Sequence, residues 1–283
     1  MNENTTADLM RNFLAQPFNV MGILNVTPDS FSDGGAYAST PKAVAYGMQL
    51  EEEGASILDI GGQSTRPGAQ IVTVDEECRR VLPVVEALSC RLHIPISVDT
   101  ANATVAARAL EAGATIINDI SAGRFDSAMP AVIAEKKCPV VLMHSRATPA
   151  DMQNQPHYTD VVAEVVQELL DRVNIFLDAG VQRSAIIIDP GIGFAKRFED
   201  NVELLRHIRA FIAAGYPVCI GTSRKSFIGH ITGEQPQNRV YGSLASIVSS
   251  LLVGVSFFRV HDVKATVSFL KVLNIVYRSG EDL

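Results

Sequence analysis

What this chain lacks removes several function classes at the outset. Its four cysteines, Cys78, Cys90, Cys138 and Cys219, are scattered with no CxxC spacing. Neither a zinc site nor a disulfide framework is expected, and free thiols fit a reducing cytoplasm. There is no excess of basic charge: at a formal −7 the chain does not read as a nucleic-acid or membrane-surface binder, and cations for an anionic ligand must be concentrated locally. No apolar run approaches the roughly 18 residues of a membrane span. The polar opening MNENTTADLM has no basic-then-apolar leader. The expectation is a soluble, cytoplasmic protein with no nucleic-acid or membrane partner. There is also no low-complexity linker, no GxGxxG after the first strand, and no Walker spacing in the basic run GTSRKS.

What is present is ordinary globular material: 283 residues, 47% hydrophobic and 19% charged. Length alone suggests two domains, but α/β barrels of roughly 250 residues form one. The chain is organised around VMGILNVTPDSFSDGG. A short apolar run, stopped early by polar turn residues, reads as a buried strand. It ends on the amide Asn25, then breaks at Thr27-Pro28-Asp29 into a loop with Phe31, Asp33 and two glycines. A capped strand and a solvated turn would explain that stretch alone, but the same design recurs. SILDIGG, IPISVDT, TIINDI, PVVLMH, AIIIDP, PVCIGTS and SFFRVHD are further apolar runs that end on polar groups.

Between them the periodicity predicts helices over 42–53, with Pro41 in the first turn, and 74–91, with a kink or break at Pro83. Others fall over 102–111, 128–137, 160–178, 201–213, 242–253 and 263–277. EEEGASILDI, LEAGATIINDI, LDAGVQRSAIIIDP and LLVGVSFFRV repeat one theme: helix end, glycine, buried strand. Apolar strands alternating with helices imply a parallel sheet with a covered outer face, and the expected fold is a single-domain (β/α)8 TIM barrel over 1–283. Residues 1–17 read as a polar N-terminal extension. An open doubly wound sheet is the alternative.

In such a barrel the strands' carboxyl ends converge on one functional face. This parse delivers to it Asn25; Thr65 and Arg66; Asp99; Asn118; Met143 and His144; Asp189; Lys225; and Arg259 and His261. Any one of them could cap a helix or satisfy a bend. Together on one rim they divide by chemistry. Asp99, Asn118 and Asp189 suit a flat heterocycle rich in N–H donors, since a carboxylate accepting from a ring N–H and an exocyclic amine makes a paired, charge-assisted contact. Arg66, Arg224, Lys225, Arg259 and His261 supply positive charge suited to a phosphate or diphosphate.

The motifs VMGILNVTPDSFSDGG, STRPGA, SVDT, IINDI, DPGIGF, SRKS and RVHD, in this order from about Val20 to the last helix, resemble dihydropteroate synthase of folate biosynthesis. The resemblance implies a (β/α)8 barrel that joins 6-hydroxymethyl-7,8-dihydropterin diphosphate to para-aminobenzoate and releases diphosphate. By position it implies that Asp99, Asn118, Asp189 and Lys225, with Met143, hold the pterin. It implies that Asn25 coordinates Mg²⁺, and that Thr65, Arg66, Arg259 and His261 face the diphosphate with it. Asp99, Lys225, Arg259 and His261 are the residues expected to carry catalysis. Phe31, Pro67, Phe194 and Lys225 are expected to wall the arylamine pocket, partly from two loops that close over bound diphosphate. A homodimer through late outer helices and sulfonamide inhibition are also implied. Gln63 replaces a commoner Glu, and GIGFAK departs from GFGFGK at Ile192 and Ala195, where alanine is expected to forbid a conformation glycine would accept. A pterin-binding methyltransferase domain and a non-catalytic homologue are the alternatives, and neither would release diphosphate.

Overall fold

The computed structural model describes residues 5–27, 35–63, 72–147 and 157–277. In chain order its elements are α1 (Thr6–Leu14), β1 (Asn19–Asn25), α2 (Gly35–Glu52), β2 (Ile57–Gly61), α3 (Val74–Ser89), β3 (Ile96–Asp99), α4 (Ala103–Glu111), β4 (Ile116–Asp119), α5 (Met129–Lys136) and β5 (Val140–Met143). There follow α6 (Val161–Asp178), β6 (Ile186–Asp189), α7 (Phe198–Arg206), α8 (Arg209–Ala213), β7 (Cys219–Ile220), α9 (Ser226–Thr232), α10 (Val240–Ser246), α11 (Val248–Leu252), β8 (Phe257–Val260) and α12 (Val263–Tyr277). All paired strands run parallel, in the order β6-β5-β4-β3-β2-β1-β8-β7. A parallel bridge between Ile188 and Val218 joins β6 to the segment entering β7 and closes the ring. The fold is the (β/α)8 barrel expected from the alternation.

Two cores explain why the strands are apolar on both faces. The larger lies between the barrel and its helices, with Val20, Leu24, Leu58, Val98 and Ile117 packed against Val81, Leu88 and Ala106 among others. The smaller fills the lumen with the alternate strand residues Met21, Ile57, Ile116, Val141, Ile187, Cys219 and Phe257. Its floor is made by Met10 and Phe13 of α1. The Phe13 ring meets Phe257 edge-on at 5.6 Å between centroids, a favourable aromatic geometry. Residues 6–14 are thus a barrel plug rather than part of a polar extension. Thr5 and Asp8 form a reciprocal capping box at the start of α1, and its apolar residues fall on one face.

Several helices differ from the periodicity. The helix after β1 begins at Gly35, before the expected 42, and Pro41 lies inside it. The expected break at Pro83 is absent, and α3 runs through it as one helix. The segment 201–213 divides into α7 and α8, and 242–253 into α10 and α11. The seven-residue α9 was not expected. Helix starts at Asn102 and Asp160 are caps: the Asn102 side chain accepts from Thr104 and Val105 N–H, and that of Asp160 from Ala163 N–H.

Candidate active site

Inward-facing positions along the strands stack in layers. Above the apolar lumen the next layer is charged. Arg259 of β8 reaches across the barrel, donating from Nε to Asp59 Oδ2 and from Nη2 to Asp99 Oδ2, each at 2.7 Å. Asp59 Oδ2 also accepts from the Asn118 amide at 3.2 Å. Asp59 is fully buried, and Asp99 and Asn118 nearly so. Burial pushes the Asp99 carboxyl up to about 7; Arg259 opposes the rise and the Asp59 charge adds to it. Gly61 keeps this corner open. A methyl group there would lie 3.6 Å from both Asn25 Oδ1 and Asp99 Cβ, so the amide of Asn25 and the carboxylate of Asp99 flank one gap.

On the opposite side, Asp189 ends β6, where its Oδ1 accepts from Gly191 N–H at 2.7 Å. Burial raises this carboxyl as well. The turn beyond it carries Phe194, whose ring lies 4.0 Å beneath the Lys225 ammonium, a cation–π contact. Burial, then Arg259, draws Lys225 down to about 8, while Asp189 and Asp99 resist. Met143 joins Ile120, Phe194 and Ala195 in a small apolar patch at the barrel mouth. Ala195 adopts the left-handed conformation that alanine was expected to forbid, φ +47°, with its carbonyl accepting from Tyr158 Oη at 3.4 Å.

His261 and Arg224 depart from the expected cationic group. Ser223 Oγ accepts from the His261 backbone N–H at 3.1 Å and lies 3.1 Å from its Nδ1. The hydroxyl can serve either ring tautomer, donating to Nδ1 or accepting from it. Burial and then Arg259 draw His261 down to about 3. At neutral pH it is a hydrogen-bond donor, not a charge. Arg224 is held by Asp262, with Nε at 3.0 Å from Oδ2, and is not part of the cluster. Phe31, Thr65, Arg66 and Pro67, and the loops expected to close, lie outside the described residues. Gln63 is half-buried beside Gly62, whose carbonyl accepts from Arg80 at 3.0 Å.

The geometry adds two residues that sequence reading passed over. Asp59 has a signal, a carboxylate in the middle of the apolar strand SILDIGG. Lys196, buried beneath the turn after β6, has none beyond being a lysine that ends GIGFAK.

A family model described as pterin binding enzyme matches residues 21–261. The chain belongs to the dihydropteroate synthase family. It is 45% identical over 261 residues to dihydropteroate synthase of Bacillus subtilis, covering 92% of this chain and 89% of the relative. Among solved structures it resembles dihydropteroate synthase of Xanthomonas albilineans with 4-aminobenzoic acid, at TM-score 0.87 and 48% identity over 92% of this chain and 93% of the other. It also resembles the Yersinia pestis dihydropteroate synthase in a sulfonamide drug complex, at TM-score 0.88 and 39% identity over 94% and 96%. Like other dihydropteroate synthases, it is a transferase of folate biosynthesis that makes dihydropteroate.

Proposed function

We propose that the chain joins 6-hydroxymethyl-7,8-dihydropterin diphosphate to para-aminobenzoate by dissociative loss of diphosphate, with the pterin held deep between β3, β4 and β6. The observation that carries this reading is the placement of acceptors: Asp99, Asn118 and Asp189 end three strands around one space, with Lys225 at its edge. A donor-rich ring satisfies buried carboxylates that would otherwise be costly. Electron donation from the ring stabilises the methylene cation left when the diphosphate departs. Arg259, bridged to Asp99, and the neutral ring of His261 face the leaving group, with Thr65 and Arg66 from the loop after β2. The arylamine then attacks along the wall formed by Phe194 and Lys225, with Phe31 and Pro67 opposite. It needs no protein nucleophile.

Mg²⁺ fits the site through Asn25. An amide oxygen is a hard donor, and Mg²⁺ commonly takes one or two protein oxygens and completes its shell with substrate phosphates and water. Among the described residues no cluster of three His, Cys, Asp or Glu side chains could hold a metal ion alone. When bound, Mg²⁺ neutralises diphosphate charge. The assembly proposed is a homodimer. Tyr241 of α10, Leu252 of α11 and Val272, Val276 and Tyr277 of α12 are exposed by 49–80% on adjoining helices, the sort of apolar patch that marks an interface. A cytoplasmic location fits the free cysteines, three of them buried. No helix among the described residues is long and apolar enough to cross a membrane.

The test is diphosphate release with both substrates and Mg²⁺. Release that depends on para-aminobenzoate is expected, and Lys225→Ala should cut kcat/KM by at least about tenfold. Lys136→Ala, at a half-buried position at the end of α5 paired with Glu111, should leave it unchanged. Equal loss in the two variants would show the barrel face to be misread.

A further inference from the structure

The pterin cradle leaves a second buried polar cluster unexplained, on the arylamine side between the ends of β5 and β6. At its centre is Lys196. Its Nζ lies 3.0 Å from Gly191 O, 3.1 Å from Phe194 O, 3.3 Å from His144 O and 3.0 Å from His144 Nδ1. Among the described residues these partners are all neutral, although the amine is almost completely buried. Two of the carbonyls belong to the turn that precedes Lys196, and the third to the end of the neighbouring strand. The side chain therefore curls under its own loop and ties that loop to β5.

The hydrogen bonds define the proton positions. An ammonium has three hydrogens and no acceptor, so Nδ1 of His144 accepts and Nε2 carries the ring proton. Nε2–H donates to Glu168 Oε2 at 3.0 Å. The hydrogen bond from His144, helped by Arg146, holds the Glu168 carboxyl down to about 2, and burial holds His144 neutral with a pKa of about 4. The counter-charges of Lys196 are Asp189 and, one imidazole away, Glu168. A neutral amine fits worse. Its lone pair demands a proton on Nδ1, which leaves Nε2 bare against a carboxylate. Burial draws Lys196 down to about 7, and the Asp189 and Glu168 charges oppose that fall.

The loop that this amine helps to hold has one backbone hydrogen bond of its own, from Phe194 N–H to Gly191 O at 3.1 Å. Further ties run from Gly193 N–H to Asn201 Oδ1 and from Tyr158 Oη to Ala195 O. Gly191, Gly193 and Ala195 all have left-handed backbone, with φ of +69°, +81° and +47°. Gly191 also passes so close to β5 that a Cβ would lie 2.0 Å from His144 O. The turn carries the Phe194 ring to its place 4.0 Å from the Lys225 ammonium. The Asp189 backbone is fixed independently, by strand pairing with Met143 and by His144 N–H donating to its carbonyl at 2.9 Å. Among the described residues its carboxylate meets the turn at Gly191 N–H alone.

We propose that Lys196 is a positioning residue for the second substrate: its ammonium pins the 191–195 turn to the end of β5 and so presents the Phe194 ring as a rigid wall for the arylamine. The proposal rests on Phe194 lining that pocket, and the experiment separates the two. Lys196→Met keeps the shape and removes the donors. The KM for para-aminobenzoate should rise about tenfold, while the KM for the pterin diphosphate stays within about twofold. A general loss of folded protein would instead lower kcat and leave both KM values alone. An unchanged KM for para-aminobenzoate, or an equal rise in both, overturns the proposal. Phe194→Ala is measured alongside. If it raises the KM for para-aminobenzoate and Lys196→Met does not, the wall stands and the pin is wrong; if neither does, both readings fail. Should Lys196→Met not fold, Glu168→Gln, at a partly exposed position, keeps the acceptor and removes the counter-charge relayed through His144. It should raise the same KM about threefold, and no rise there is equally decisive against the pin.

Discussion

Asp59 and Asp99 share the Arg259 guanidinium, and the sharing separates their tasks. Asp59 is wholly buried and, through Oδ2, aims both Arg259 and Asn118; Asp99 meets Arg259 through Oδ2, and in the proposed function its other oxygen goes to the pterin. The perturbed groups at the rim have opposite senses. Asp99, pushed up to about 7, loses its charge as pH falls through that value, and Lys225, drawn down to about 8, loses its charge as pH rises through that one. Since kcat/KM reports groups of the free enzyme, its value for the pterin diphosphate at saturating para-aminobenzoate should peak between about 7 and 8. Asp99→Asn should lower the peak and remove the limb that Asp99 contributes on the acid side. An Asp99→Asn profile with the wild-type acid limb would assign that limb to another group, Asp189 being the next raised carboxyl.

At the scale of elements, α1 has a job that polarity concealed. Met10 and Phe13 close the lumen from below, so Phe13→Ala opens a cavity between the plug and Phe257. Truncating a buried Phe to Ala costs about 3–5 kcal/mol, which should appear as a lower urea midpoint at unchanged m-value, with KM for both substrates unaltered. A stability loss under about 1 kcal/mol would mean that α1 only lies against the barrel. The strands and their polar ends were legible because period and punctuation repeat: AIIIDP and TIINDI are apolar runs ended by a carboxylate or amide. The plug was not legible, because the apolar residues of TADLMRNFL never run beyond two, and burial here depends on a lumen that exists only once the ring has closed. Pro41 and Pro83 misled for a related reason. Packing of α2 and α3 on the sheet outweighs the loss of one hydrogen bond each. The residue-level chemistry of His261 was similarly hidden, since its charge is set first by burial in the closed barrel and then by Arg259 and Arg224.

At the scale of the whole molecule, the apolar faces of α10, α11 and α12 make association testable. Val272→Asp with Tyr241→Asp, both at exposed positions, should shift sedimentation from dimer to monomer while far-UV circular dichroism stays unchanged. A species of the same size before and after would remove these helices from the interface. The lumen has a consequence of another kind, for how the chain comes together as it is made. Phe13 rests on Phe257, and the Asn19 amide donates to Phe13 O and, 237 positions along the chain, to Ser256 O. The floor therefore joins the start of the sequence to its last strand. Until β8 leaves the ribosome, α1 has no completed surface to cover, and Met21, Ile57 and Ile116 face an open trough rather than a sealed interior. Contacts of such long separation form late and leave apolar surface exposed meanwhile. The nascent chain thus stays vulnerable to sticking until nearly all of it has been synthesised.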